Sequence, residues 1–287
     1  TLFRSGMLGM GLTTSISYLA ALFIMCLHFG KKDIIFRFSF KDININDLAD
    51  ILVIGAPPAV GSASTALRTI VHNHIMVGTS HSIDAVGAFG ILNTVFTFTS
   101  CVLIGVGITT SMIAGMILGE KDRLSAKQLI NTALKTAVII GSGLCLSVFI
   151  FSEPLALLFG NEDGKLMVSL ASKGLKIFSV SLILYGINST FTNYLQGMRR
   201  TVLANIFSFL HTFLFLSLPA ILLSRRLEEN AVWLSFCIGE TLTLLSFFIL
   251  ACTMRRGFAS RTEDFLFLKE PFGEPEIEIL NLTIKDQ

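Results

Sequence analysis

Arg68 and His72 lie one helical turn apart in a segment that is otherwise apolar, and their side chains can bind or transfer charge there. With Gly61 and Thr65 they recur at steps of three or four residues, which predicts one polar stripe along a helix. If the stripe lines a cavity, the imidazole of His72 can take up and release a proton near neutral pH. Alternatively, Arg68 braces the helix bundle through helix carbonyls or a carboxylate, and His72 lies near the outer membrane surface.

Two further polar residues, Glu240 and Asn188, fall inside predicted membrane-spanning helices. Glu240 is the only carboxylate well inside an apolar run, and a charged side chain at mid-membrane costs about 2.5–3.5 kcal/mol on insertion scales. We therefore expect it to pair with a cation such as Arg68, to contact a cationic substrate, or to lie near the outer end of its helix. The amide of Asn188 can bind a polar substrate group, although hydrogen bonds between helices are the commoner use of amides in membranes.

The composition that surrounds these residues is that of a membrane protein. The chain has 287 residues, of which 52% are hydrophobic and 15% charged, with a mean hydropathy of +0.72. The net charge of +2 and the absence of a lysine- or arginine-rich block argue against a nucleic-acid partner. Small organic molecules and the lipid bilayer are the expected partners, and the oligomeric state is left open.

No pattern for an enzyme, a metal site or a bound cofactor occurs in the sequence. There is no HExxH motif, no paired carboxylates, and no nucleophile with a nearby base. The five cysteines all lie in apolar runs without metal-ligand spacing, so neither a disulfide framework nor a zinc site is predicted.

An all-α membrane fold is predicted, because about 20 apolar residues suffice for a helix to cross a bilayer. About seven such runs occur, and short polar loops separate them. The predicted spans are Gly6–Phe29, Leu48–Gly78, Ala85–Leu118, Leu129–Phe151, Leu175–Gln196, Val202–Leu223 and Ala231–Met254.

The distribution of basic residues predicts the orientation in the cell membrane. Cytoplasmic loops collect lysine and arginine, and alternate loops of this chain hold about twelve against about six basic residues, with Lys165, Lys173 and Lys176 counted in one outer loop. The C-terminus is therefore expected in the cytoplasm.

After Gly257 the sequence becomes charged and proline-rich, with a β-like run at 276–285, which predicts a tail or the start of a soluble domain.

Four short motifs occur in order at characteristic spacings. They are Gly55-x-Pro57 followed by AVGAFGI at 85–91, GEKD at 119–122, LLFGNED at 157–163, and LQG at 195–197. This arrangement resembles the multidrug and toxic compound extrusion family, the MATE transporters, over roughly residues 6–256. The family has twelve helices in two six-helix bundles, with substrate bound between them.

The resemblance implies that this chain is a fragment that corresponds to the C-terminal half of such a transporter. Residues 1–29 would form the last helix of the N-terminal bundle and 30–47 a cytoplasmic linker. Residues 48–256 would form the C-terminal six-helix bundle, followed by a cytoplasmic tail or truncated domain at 257–287. Five helices are then expected to precede Thr1.

The resemblance also implies a function and a position for the driving ion. Family members export organic, often cationic, compounds by antiport with Na⁺ or H⁺. Many carry an acid where this chain has Thr65, and some carry another where it has Tyr185 or Asn188. Because both acids are absent, the coupling ion is expected to bind in the N-terminal half, and these residues become candidates for the substrate pathway together with Arg68, His72 and Glu240.

Two other functions remain open at this stage. One is a lipid-linked oligosaccharide flippase of the same superfamily, which would favour a more cationic cavity than Arg68 alone provides. The other is a membrane sensor or inactive truncation that transports nothing.

Overall fold

The computed structural model describes residues 6–28, 45–159 and 164–253, and every regular element in these ranges is helical. The elements are α1 (Gly6–His28), α2 (Ile45–Val77), α3 (Ser82–Glu120), α4 (Arg123–Ile150), α5 (Ser152–Phe159), α6 (Lys165–Ser179), α7 (Ser181–Gly197), α8 (Thr201–Phe209), a π-helical turn (Leu210–Leu214), α9 (Phe215–Leu227) and α10 (Glu229–Thr253). The predicted all-α fold is confirmed.

The chain divides into two compact units, residues 1–51 and 52–287. The first contains the apolar helix α1 and the first residues of α2. The second contains the rest of α2 and α3–α10, and the candidate functional residues all lie in it. The predicted tail at 257–287, most of the predicted linker at 30–47 and the GNED end of the third motif lie outside the described residues.

Four helical segments of the described chain are long and apolar enough to cross a membrane, and a bent pair adds a fifth. The four are α3, α4, the continuous stretch 201–227 and residues 229–250 of α10, while the pair is α6 and α7, which meet at 51°. The sequence predicts about seven spans. Of the first two predicted spans, Gly6–Phe29 and Leu48–Gly78, the described residues as far as Val77 are helical, and Ser15–Leu27 of α1 is an apolar helical stretch.

The assignment of Lys165, Lys173 and Lys176 to a loop is wrong, since all three lie in α6. Apolar residues such as Val168, Ala171 and Leu175 are buried on one face of this helix, and a charged face opposite them is the pattern of an amphipathic helix. The predicted outer loop is therefore a helix over residues 165–179, and this helix packs against the bundle.

Among the described residues of the second unit, α3 packs extensively on α7, while α4 also packs on α7 and α10 on α9. One buried cluster contains Trp233, Phe89, Phe178 and Phe236. A second cluster, which includes Tyr194, Phe207 and Phe247, joins α7, α8 and α10. These aromatic layers surround the polar side chains described next.

Candidate functional site

Arg68 and His72 lie on the face of α2 that is buried in the protein interior. Both side chains are buried, and Ser64 and Met76 continue the same buried face at steps of four residues. The predicted polar stripe is therefore present, but Ser64 belongs to its buried centre and Thr65 lies beside it. Thr65 is half-buried, and its hydroxyl donates a hydrogen bond of 2.9 Å to the Gly61 carbonyl in its own helix.

The guanidinium of Arg68 lies against aromatic rings and not against a carboxylate. Its central carbon is 5.0 Å from the ring centroid of Phe96 and 5.4 Å from that of Phe236, both within cation–π range. Its Nε and Nη2 atoms are buried and have no hydrogen-bond partner in the described part of the chain. Two nitrogens of a buried cation, which carry three N–H bonds, thus remain able to bind a polar group.

His72 lies in the packed interior of the protein. Its ring meets the rings of Phe89 and Phe236 nearly edge to face, with centroids 5.6 Å apart in each case. Its relative exposure is 0%, whereas His74 two residues later is exposed. His72 therefore has an aromatic environment inside the protein.

Glu240 is the centre of a buried hydrogen-bonded cluster formed by three helical segments. Its carboxylate lies 2.8 Å (Oε2) and 3.1 Å (Oε1) from Nε2 of His211. The amide of Asn188 donates through Nδ2 to Oε2 of Glu240 at 2.8 Å and to the backbone carbonyl of Glu240 at 2.9 Å. Asn188 therefore makes the hydrogen bonds between helices that are common for membrane amides.

Two backbone features bring His211 and Glu240 together. His211 lies in the π-helical turn, whose wider register is closed by a hydrogen bond from the Phe215 N–H to the Leu210 carbonyl; such turns shift the positions of side chains and occur often at functional sites. Pro219 has no N–H to donate to the Phe215 carbonyl four residues before it. Gly239 packs directly on that carbonyl, since a Cβ on this glycine would lie 2.6 Å from it.

Tyr185 connects the Arg68 side of the interior to the Glu240 side. Its ring centroid lies 5.3 Å from that of Phe96 and 5.3 Å from that of His211. Tyr185 and Glu240 are both near enough to Arg68 for electrostatic interaction. Five of the six predicted residues, all except Thr65, thus belong to one continuous polar and aromatic interior.

The sequence interpretation missed His211, and of its three alternatives for Glu240 it offered Arg68 as an example of a pairing cation. Within the described residues, the side-chain partners that hydrogen-bond to the Glu240 carboxylate are His211 and Asn188, and no Arg68–Glu240 ion pair forms there. The available signal was a lone histidine in the apolar run 201–223, which is costly in a membrane unless it has a partner. A histidine and a carboxylate in contact can share or exchange a proton, and the pair can also neutralise a bound cation.

Comparison with known proteins gives a consistent result. The MatE family model matches residues 57–221, which is more than half of the chain. The chain is similar to the multidrug export protein MepA of Staphylococcus saprophyticus, with 24% identity over 88% of this chain and 55% of the relative. It is also similar to the probable multidrug resistance protein YoeA of Bacillus subtilis, with 23% identity over 84% of this chain and 53% of the relative.

The fold is likewise similar to solved structures. A crystal structure of MATE in complex with MaL6 superimposes with a TM-score of 0.79 at 20% identity, over 93% of this chain and 58% of that protein. The chain thus spans about half the length of the curated relatives it matches.

Proposed function

The chain belongs to the MatE family, and we propose that the protein is a secondary transporter that exports organic, often cationic, compounds from the cell by antiport with Na⁺ or H⁺. Members of this family are transporters and not enzymes. The multi-pass helical fold of the described residues fits this activity, and the proposed location is the cell membrane with the C-terminus in the cytoplasm.

The observation that carries the proposal is the cluster of Asn188, His211 and Glu240 inside apolar helices. A buried carboxylate is costly in a membrane protein unless it has partners or contacts water or a ligand. Glu240 has both an imidazole and an amide within hydrogen-bond distance. A purely structural core would be at least as stable with apolar residues here, so the cluster favours a role in handling charge.

In the proposed mechanism, Glu240 supplies the negative charge that attracts a cationic substrate, and His211 offsets part of that charge when the substrate is absent. Tyr185 and the phenylalanines beside Arg68 offer aromatic faces to flat, apolar compounds. The coupling ion is proposed to bind chiefly outside this half of the transporter, because the positions of Thr65, Tyr185 and Asn188 lack the acids that relatives of this family often carry.

Ethidium accumulation in cells that express the full-length protein tests the proposal. Expression should lower cellular ethidium, and Glu240→Gln should reduce the export rate at least about tenfold, since a hydrogen bond to a charged group contributes about 1.5–3 kcal/mol. The matched control is Glu153→Gln, an exposed acid in the first turn of α5, which should export like the wild type at equal expression.

The driving ion is tested in the same cells. Proton antiport predicts that an uncoupler abolishes export while sodium removal leaves it unchanged, and sodium antiport predicts loss of export without sodium.

Unchanged accumulation of ethidium and a panel of other dyes, at verified expression, would count against drug export and would favour the flippase function.

A further inference from the structure

Three potential metal ligands meet at one end of the helix bundle, far from the cluster around Glu240. His81 precedes α3, Glu228 lies between α9 and α10, and Glu229 begins α10. One ligand atom from each side chain lies within 4.8 Å of the other two. We call these residues the His81 cluster.

The buried carboxylate of Glu229 is an independent indication that a ligand binds there. Its relative exposure is 9%, and its Oε2 atom is inaccessible and has no hydrogen-bond partner among the described residues. A buried carboxylate oxygen without a partner is destabilising, by more than an unpartnered neutral group. A cation bound between Glu229 and its two neighbours would satisfy this oxygen.

The chemistry of the ligands points to a class of ion. Carboxylate oxygens alone suit Mg²⁺ and Ca²⁺, whereas an imidazole nitrogen with carboxylates suits Zn²⁺ and neighbouring transition metals. We propose that the His81 cluster binds one divalent transition-metal ion, with Zn²⁺ as the representative case, through an imidazole nitrogen of His81 and carboxylate oxygens of Glu228 and Glu229.

The geometry permits such a site with small movements. Zinc bonds of about 2.0–2.2 Å place tetrahedral ligand atoms about 3.4 Å apart, so the present separations of up to 4.8 Å must shorten. His81 and Glu228 are exposed and can rotate toward the buried Glu229. The Ser80 hydroxyl already donates to Oε1 of Glu228 at 3.0 Å, and an outer hydrogen bond of this kind orients a ligating carboxylate.

A bound ion would connect two segments that are distant in sequence. His81 belongs to the connection between α2 and α3, and the two glutamates belong to the connection between α9 and α10. Glu229 and Glu240 are eleven residues apart on α10, which is about 16 Å along a helix. The ion would therefore stabilise one end of the bundle without touching the proposed substrate pathway.

The test uses the full-length protein, purified in detergent and stripped with EDTA, and measures Zn²⁺ binding by calorimetry and the shift in Tm. We expect binding that raises Tm and that is reversed by EDTA. His81→Ala and Glu228→Gln should each weaken the affinity at least tenfold. Both replaced residues are exposed, so these variants should fold. Glu229→Gln, at the buried position, should abolish the Tm shift.

Two controls separate this cluster from other ligands. His74 lines the same surface cleft as Glu228 but is not in the cluster, so His74→Ala should bind like the wild type, as should Glu153→Gln. The proposal is overturned if Zn²⁺ does not bind, if His81→Ala and Glu228→Gln bind it as tightly as the wild type, or if only His74→Ala loses binding. Drug export without Zn²⁺ should continue, so failure here is distinguishable from failure of the proposed transport function.

Discussion

Nε2 of His211 lies 2.8 Å from Oε2 of Glu240, and both side chains are buried between apolar helices. The two residues are 29 positions apart, so their contact depends on how α10 packs against the π-helical turn. It gives Glu240 a titratable partner in addition to the amide of Asn188. The packing of these helices and the proposed charge-handling role of Glu240 therefore depend on the same contact.

The first prediction concerns this pair. His211→Leu should destabilise the protein by about 3–5 kcal/mol if the pair is charged, because it leaves a buried carboxylate short of a partner. The double variant His211→Leu/Glu240→Leu should cost less than the sum of the two single variants, by about 0.5–3 kcal/mol. Thermal unfolding of the purified variants measures both quantities, and strict additivity would show that the two residues do not interact.

A second prediction concerns the close approach of α10 to α9. Gly239→Ala places a Cβ 2.6 Å from the Phe215 carbonyl oxygen, so the helices must separate, and overpacking of this kind costs about 1–3 kcal/mol. The Tm should fall and ethidium export should weaken, because Glu240 moves with the helix.

Gly143→Ala is the matched control for that substitution. Gly143 lies within α4, and a Cβ there meets nothing within 4 Å. The change should leave stability unchanged or raise it by up to about 1 kcal/mol through helix propensity. An equal fall in Tm for both glycine variants would contradict the packing argument.

The third prediction tests whether Phe236 stabilises the Arg68 guanidinium. Phe236→Leu removes one of the two rings near the cation and should cost more in the wild type than in an Arg68→Gln background. The difference should be about 0.5–2 kcal/mol, the usual range for a cation–π contact. A double-mutant cycle of unfolding free energies measures it, and a cost that is identical in both backgrounds would mean that Phe236 acts only by filling space.

Sequence periodicity was enough to predict that Arg68 and His72 share one helix face, because a 3.6-residue repeat fixes which side chains lie together, although Ser64 and not Thr65 continues the buried face. The environment of that face was not predictable in the same way. Whether Arg68 meets a carboxylate or two phenylalanines depends on the packing of α3 and α10, which no local pattern encodes. Pairing with Glu240 was one of the alternatives for Arg68, and among the described residues its guanidinium lies against Phe96 and Phe236 instead.

His211 shows a different limit of sequence reasoning. The π-helical turn adds a residue to one turn of the helix, so an ordinary helical repeat assigns the side chains after it to the wrong direction. Apolar runs alone place most of α6 in a loop between two spans, although Val168, Ala171 and Leu175 recur with helical spacing. Local pattern thus predicted which segments are helical more reliably than which residues meet.

The last prediction concerns pH and Asp122, which lies between the spans α3 and α4 and caps the start of α4. A side-chain hydrogen bond from Ser125, with further bonds from the backbone N–H groups of Ser125 and Leu124, lowers the pKa of Asp122 below its usual value. A lowered pKa in the folded state means that the ionised cap stabilises the helix above the unfolded pKa. This contribution is lost as the pH falls through the folded value. Asp122 is the residue whose side chain accepts from the first turn of α4.

Asp122→Ala should therefore increase hydrogen exchange of the Leu124 and Ser125 amides at neutral pH, relative to the wild type at the same pH. The difference between the two proteins should shrink as the pH is lowered below 3.8, the ordinary pKa of the group, because the wild-type carboxyl also becomes protonated. Ser125→Ala should reproduce part of the effect, since it removes the largest single cause of the shift. Exchange that differs equally at both ends of the pH range would show that the carboxylate charge does not stabilise this helix start, and that Asp122 acts there only through its shape.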